Sequence, residues 1–372
     1  MEQGILVGQP TMATSAMPGP LAVQNGRRAR AAEACHRAGL LPWLGRVRGM
    51  FRGGARILAY HRVLESGEPP DFTFDIDLVS ASAEAFHQQM SLVRRKFHPM
   101  RFDELADCIE RGERPPPRAL LVSFDDGYDD NYRIAFPILR DLGMSAMFFV
   151  STGHIESGKP YAYDWLVHML CTVPQTRLEI PALGIATSLP EGLEGRRVLA
   201  REMLDRIKAL EASDQDALIA GLEEAWGMPR ARTHVQSRPM QWQHLREMRR
   251  MGMEVGSHGV HHRMLAKLAP DEMRHEVFES KRMLEHELGA GIQAISYPVG
   301  GSDAYDERVV ATVREAGYRI ACSYRAGADP STRATRYRMR RLPVERQMGA
   351  AWFEAIVTLP EVFAHASRTR EA

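Results

Sequence analysis

Short apolar runs alternate along most of this chain with stretches of helical spacing. ILAY at 57–60 reads as a short buried strand. Residues 82–97 set Phe86, Met90, Val93 and Phe97 at helical intervals. Ser82 stands before them, a residue type whose hydroxyl caps helix N-termini. A second helix is expected over 102–111, ahead of the loop RPPPR. ALLVSF at 119–124 is a continuous apolar run ending in acids, as expected of a parallel strand buried on both faces. A helix at about 130–141 ends near Gly143, and SAMFFV at 145–150 is the next strand. Strand–helix–strand alternation of this kind predicts an α/β fold.

The rhythm breaks over 156–240, where the pattern is mostly helical and amphipathic, and an insertion capping the main domain is expected. Alternation then resumes: a helix at 241–251, the strand MEVGS, a long helix at about 270–288, the strand AISYP, a helix at 304–316 and the strand YRIACSY. RRLPVER at 340–346 follows, and a closing helix begins near 349. The folded domain is therefore placed at 57–348, with 1–56 as an N-terminal extension and 349–372 as a C-terminal helix and tail.

Composition adds limits. Apolar residues make up 44% and charged residues 26% of the 372, an ordinary globular balance. A net charge of +1 gives no drive toward polyanions, and no nucleic-acid-binding motif is present, so a nucleic-acid partner is not expected. The scattered cysteines Cys35, Cys108, Cys171 and Cys322 read as reduced thiols rather than a disulfide framework. Residues 1–25 lack any apolar period and are expected to be disordered. With no basic start followed by an apolar stretch there, a cytoplasmic location is expected. Residues 27–56 carry eight arginines against Glu33 alone. They form either a basic amphipathic helix touching an anionic membrane surface or a helix packed on the domain.

Three loops that follow expected strands carry candidate chemistry, because parallel α/β folds build sites at the carboxyl ends of their strands. Asp125 and Asp126, in SFDDG, are costly to bury as anions unless a cation accompanies them. Their adjacent side chains diverge, so one can bind metal while the other acts as a base. His258 and His262, in SHGVHH, are four residues apart, and one helical turn would put both rings on one face. Imidazoles suit Zn²⁺ and its neighbours, and His261 is a rival ligand. His61, in LAYHRV, is a single histidine after a short strand and gains weight only from the other two loops.

Taken together, these loops resemble the polysaccharide deacetylase family, the NodB-homology carbohydrate esterases. SFDDG matches the family's aspartate motif, and SHGVHH its H-[ST]-x-x-H motif, with Gly259 in place of Ser or Thr. YPVG at 297–300 is similar to the third motif, usually R-x-P-Y, and the resemblance spans about 57–346. It implies a distorted (β/α) barrel of about seven strands. It also implies Asp125 as catalytic base, and Asp126, His258 and His262 as ligands of a divalent metal, Zn²⁺ first and Co²⁺ or Ni²⁺ as alternatives. No Leu-x-His motif supplies the general acid near the C-terminus, where His365 is a poor candidate. LAYHRV matches the N-terminal strand of a permuted subgroup, which assigns the acid to His61. The backbone N–H of Val299 falls at the oxyanion position. The third motif's arginine, which normally steadies the base, is replaced by Ser296.

The activity so implied is removal of acetyl groups from an N-acetylated glycan or glycan precursor in exopolysaccharide or cell-envelope synthesis. The alternatives are an O-acetyl esterase or small-amide hydrolase on the same scaffold, or a glycan-binding protein with a decayed site. Tyr161, Tyr163, Asp164 and Trp165, early in the insertion, either line a glycan subsite or pack its core, and Tyr297 is a further substrate-binding candidate.

Overall fold

The computed structural model describes residues 27–51, 54–210, 212–230 and 234–364. The expected disorder of 1–25 and the position of His365 lie outside the described residues.

Seven parallel strands close on themselves: β1 (Arg56–Tyr60), β2 (Ala119–Phe124), β3 (Met147–Val150), β4 (Glu254–Ser257), β5 (Ala294–Ser296), β6 (Ile320–Ala326) and β7 (Met339–Pro343). Going round, the order is β1-β7-β6-β5-β4-β3-β2, and β2 pairs with β1 from Leu120↔Arg56 to Phe124↔Tyr60. The expected barrel is therefore closed. Strands alternate their side chains between two faces. One set, including Leu58, Tyr60, Val122, Phe124 and Phe148, joins the large core beneath the surrounding helices. The other set, including Ile57, Leu121, Phe149, Ala294 and Met339, forms a separate cluster with Phe102, Leu105 and Ile109 of the helix Phe102–Arg111. Counting on by twos along this inner face gives His61, Asp125, Ser296 and Arg341. The period that fills the barrel with apolar residues thus ends, strand by strand, in polar ones.

The helices run close to their expected bounds. Ala83–Lys96 begins at Ser82, whose Oγ accepts the Ala85 N–H at 3.1 Å. Pro270–Leu288 covers the expected long helix. Three features differ from expectation. The insertion holds the helices Ala162–Thr172, Leu193–Lys208 and Ala212–Ala225, but also an antiparallel hairpin of Arg177–Ile180 with Ile185–Ser188. His98–Pro99 adds a short strand beside the start of β2. Past Asp130 the backbone is π-helical over Asn131–Ala135 before Phe136–Asp141 becomes α-helical. That widened turn lets Asn131 Nδ2 donate to the His61 carbonyl at 2.7 Å.

The extension is not separate from the domain. Helices Arg27–Arg37 and Leu41–Phe51 pack on the C-terminal helix Ala350–Thr358. Ala32 and Leu41 are buried, His36 meets Glu354 at 2.9 Å, and Arg48 makes a two-pronged bond to Glu361. This is the packed alternative of the two weighed for 27–56, and the first strand begins at Arg56, one residue earlier than expected. Among the described residues no helix is long and apolar enough to cross a membrane. The cysteines are all free.

Candidate active site

Asp125 follows β2 directly, and its N–H donates to the Tyr60 carbonyl at 2.9 Å, so closure of β1 against β2 fixes its backbone. Its carboxylate is buried and meets Arg341 of β7 through two parallel bonds, Nη1 to Oδ1 at 2.7 Å and Nη2 to Oδ2 at 2.6 Å. The same guanidinium donates to the Ser323 carbonyl at 2.9 Å, Ser123 Oγ at 3.2 Å and Ser296 Oγ at 2.8 Å. Arg341 is wholly buried, and these contacts occupy its planar fork. Burial alone would raise the Asp125 pKa. The charge of Arg341, with His258 and His61 nearby, outweighs it and lowers the carboxyl to about 2. Asp125 is therefore an anion throughout the neutral range.

This answers what stands in for the third motif's arginine. Ser296 occupies the usual arginine place, but its short side chain leaves room for a guanidinium entering from β7. Ser296 Oγ then joins the pair, 3.3 Å from Asp125 Oδ2. RRLPVER contained the residue, yet nothing local distinguished Arg341 from Arg340. The alternation of β7 does: Arg341 shares the inner face with Met339, while Arg340 is only partly buried and lies near Asp329.

Asp126, His258 and His262 converge, with ligand atoms all within 4.8 Å of one another. His258 Nε2 lies 3.4 Å and His262 Nε2 3.3 Å from Asp126 Oδ1. His258 Nδ1 is 2.8 Å from the Ser296 carbonyl, which can only accept, so Nδ1 carries the proton and Nε2 presents a lone pair toward Asp126. Lone pairs and a carboxylate oxygen at this spacing suit a divalent cation, and two imidazoles with one carboxylate leave positions open for water and substrate. The Asp126 carboxylate and carbonyl are held by the insertion: Tyr163 Oη is 3.4 Å from Oδ2, and Tyr161 donates to the carbonyl at 2.7 Å.

The two histidines do not share a helical turn as expected. Residues 258–262 form a loop that ends with His262 in the left-handed region, φ 59°. Glu276 shapes this loop by accepting the N–H groups of Val260 and His261 at 2.6 and 2.9 Å. Its other oxygen pairs with His261 Nδ1 at 2.8 Å, which raises the His261 pKa and turns that ring outward, away from the metal set. Gly259 has φ 77°, and a Cβ there would stand 2.9 Å from Glu276 Oε2, so glycine is the residue this turn accommodates.

His61 ends β1, buried, with its N–H donating to Ser80 Oγ at 3.0 Å. Its Nδ1 lies 3.5 Å from the Tyr324 hydroxyl. Tyr324 sits where the β6–β7 register shifts between Cys322 and Ala326. Val299 has φ 64°, a far rarer conformation for a β-branched residue than the 76° of Asp126 is for an aspartate. Three of the four non-glycine residues with positive φ among the described ones are thus site residues, with backbone strain concentrated where side chains or N–H groups must be aimed.

Three expected substrate-binding residues lie elsewhere. Trp165 is buried in the insertion's own core and donates Nε1–H to the Met228 carbonyl at 2.9 Å. Asp164 is wholly buried, accepting from Asp75 N at 2.9 Å, Tyr128 at 3.2 Å and Ser237 at 2.7 Å. Tyr297 points away from the cleft, donating to the Tyr337 carbonyl at 2.8 Å and stacking on Tyr305. All three serve packing, and the role expected for them is corrected accordingly. Tyr161 and Tyr163 do line the cleft, together with His262 and Val299.

The family model described as "Polysaccharide deacetylase" matches residues 112–192 and 196–321, over half of the chain. The Bacillus subtilis (strain 168) protein YxkH is 21% identical over 257 residues, which is 68% of this chain. The match spans 61% of that relative's length. Among solved structures, the Streptococcus pyogenes deacetylase PplD in complex with acetate superposes with a TM-score of 0.53 at 18% identity, over 86% of this chain and 99% of that one. IcaB from Ammonifex degensii gives 0.52 at 17% identity, over 83% and 98%. With its closed seven-strand barrel and matched motifs, the chain belongs to the polysaccharide deacetylase family.

Proposed function

We propose that this protein hydrolyses the acetyl amide of N-acetylated sugars in a glycan or glycan precursor, with a divalent metal, Zn²⁺ by its donor set, held by Asp126, His258 and His262. The observation that carries the reading is the Asp125 carboxylate held by two bonds from Arg341 next to that ligand set. When bound, the metal supplies a Lewis acid for the acetyl carbonyl and the attacking water. Asp125 accepts the water's proton. The Val299 N–H donates to the oxyanion that develops on the carbonyl oxygen; one such donor is typically worth ~10²–10³ in rate. His61 donates a proton to the leaving nitrogen, since an amide nitrogen does not depart as an anion. The insertion contributes by clamping Asp126 through Tyr161 and Tyr163.

The test is acetate release from N-acetylglucosamine oligosaccharides by metal-restored protein, wild type against Asp125→Asn. Metal-dependent release that the variant lacks is expected. Wild type that holds stoichiometric metal but releases no acetate would refute the N-acetylglucosamine reading.

A further inference from the structure

The cleft at the site does not end at the catalytic residues. From His262, Val299 and Tyr163 it continues under the insertion, between the helix Leu193–Lys208 and the barrel's upper loops. Its walls there are aliphatic: Leu78, Val167, Ala200, Leu204, Ile219 and Met264. A pyranose ring carries hydroxyls around its edge, and burying them against such walls leaves hydrogen bonds unmade. Of the charged groups that line the cleft, Arg201 pairs with Asp77 at 2.8 Å, Arg263 with Asp216 at 2.8 Å and Lys208 with Asp205 at 3.6 Å. Arg197 donates to the Phe72 carbonyl at 2.7 Å and Lys267 to the Lys208 carbonyl at 2.6 Å. An uncharged alkyl chain is the group that fits the aliphatic walls.

We propose that the substrate carries an alkyl chain beside its scissile amide, and that this cleft holds it. The chain is either the acyl group itself, longer than acetyl, or an apolar aglycone of the sugar. With an apolar aglycone the inference deepens the deacetylase reading; with a longer acyl group it keeps that reading's amide hydrolysis and replaces the acetyl group.

The experiment measures equilibrium binding by calorimetry to two homologous series. One is methyl, butyl and octyl glycosides of N-acetylglucosamine; the other is methyl glucosaminide with acetyl, butanoyl and hexanoyl amides. Affinity should rise roughly threefold to fourfold per methylene in one series until the cleft is full. The series that rises identifies the source of the chain. Leu204→Trp, which fills the cleft, and Leu204→Lys, which charges it, should each flatten the rise; Leu204 is only partly buried, and unchanged melting would show that both variants fold. Affinity independent of length in both series, or a rise unchanged in both folded variants, overturns the proposal. Chain-dependent binding without acetate release would sink the N-acetylglucosamine reading and leave the cleft's role intact. Release without chain dependence would do the reverse.

Discussion

Arg341 and Asp125, 216 residues apart in sequence, form a two-pronged ion pair with no access to solvent on either side. The pair fixes the plane of the carboxylate and keeps it ionised although it is buried. A lysine could supply the charge but not the fork. Arg341→Lys should therefore bind metal normally yet lose turnover on the order of 10²-fold, since a misplacement of about 1 Å is enough for that. Arg341→Ala leaves a buried carboxylate without its partner and should cost about 3–5 kcal/mol of stability. Steady-state rates, metal stoichiometry and thermal melting separate the two effects. Full turnover in the lysine variant would show that charge alone suffices.

His61 reaches the same chamber from β1. If it protonates the leaving amine, His61→Ala should lower turnover on an N-acetyl sugar by about 10²–10⁴-fold and leave metal stoichiometry at wild type. The loss should be much smaller on an O-acetyl ester, whose alkoxide leaves with less help. Equal losses on amide and ester would assign His61 a role other than acid.

Gly259 stands where the family pattern has Ser or Thr, and Glu276 decides the matter. That carboxylate is buried and pinned by two N–H groups and a ring nitrogen, so it has no room to retreat from a new Cβ. Restoring the common residue with Gly259→Ser should destabilise the protein by about 1–2 kcal/mol through the left-handed backbone. It should also weaken metal binding by about 10–100-fold, as disturbed outer-shell partners typically do. Melting and a metal titration read both, and wild-type values would mean that the loop tolerates a side chain.

Glu254 gives a pH test away from the chemistry. It caps the helix Phe102–Arg111 by accepting the N–H groups of Phe102 and Asp103 at 2.8 and 3.0 Å. Burial nevertheless pushes its carboxyl up from the ordinary 4.5 to about 7. The folded state then holds its proton more tightly than the unfolded chain. Its contribution is fully present below about pH 4.5 and is lost as pH rises through about 7. Urea unfolding across pH 4–8 should show this decline, and Glu254→Gln should flatten it. An identical pH slope in the variant would place the decline on other groups.

The sequence by itself determined the strand–helix alternation and the loops that follow β1, β2 and β4. These are local properties: an apolar run must be buried, and the residues just after it emerge at the barrel's carboxyl end. The resemblance of SFDDG and SHGVHH to the family's motifs implied Asp126, His258 and His262 as a ligand set, while the local pattern left His261 as a rival. The tertiary structure decided what depends on closure. Only when β7 joins β1 does Arg341 arrive beside Asp125 and Ser296. Only the packing of Glu276 turns His261 out, leaving His262 within 3.3 Å of Asp126. The roles of Tyr163 and Trp165, two residues apart, likewise separate only in three dimensions, because helical spacing sends one toward Asp126 and the other into the insertion's core. Local pattern tells a residue that it will be buried or at a strand end. Its partner comes from a distant segment, and no short-range pattern encodes that meeting.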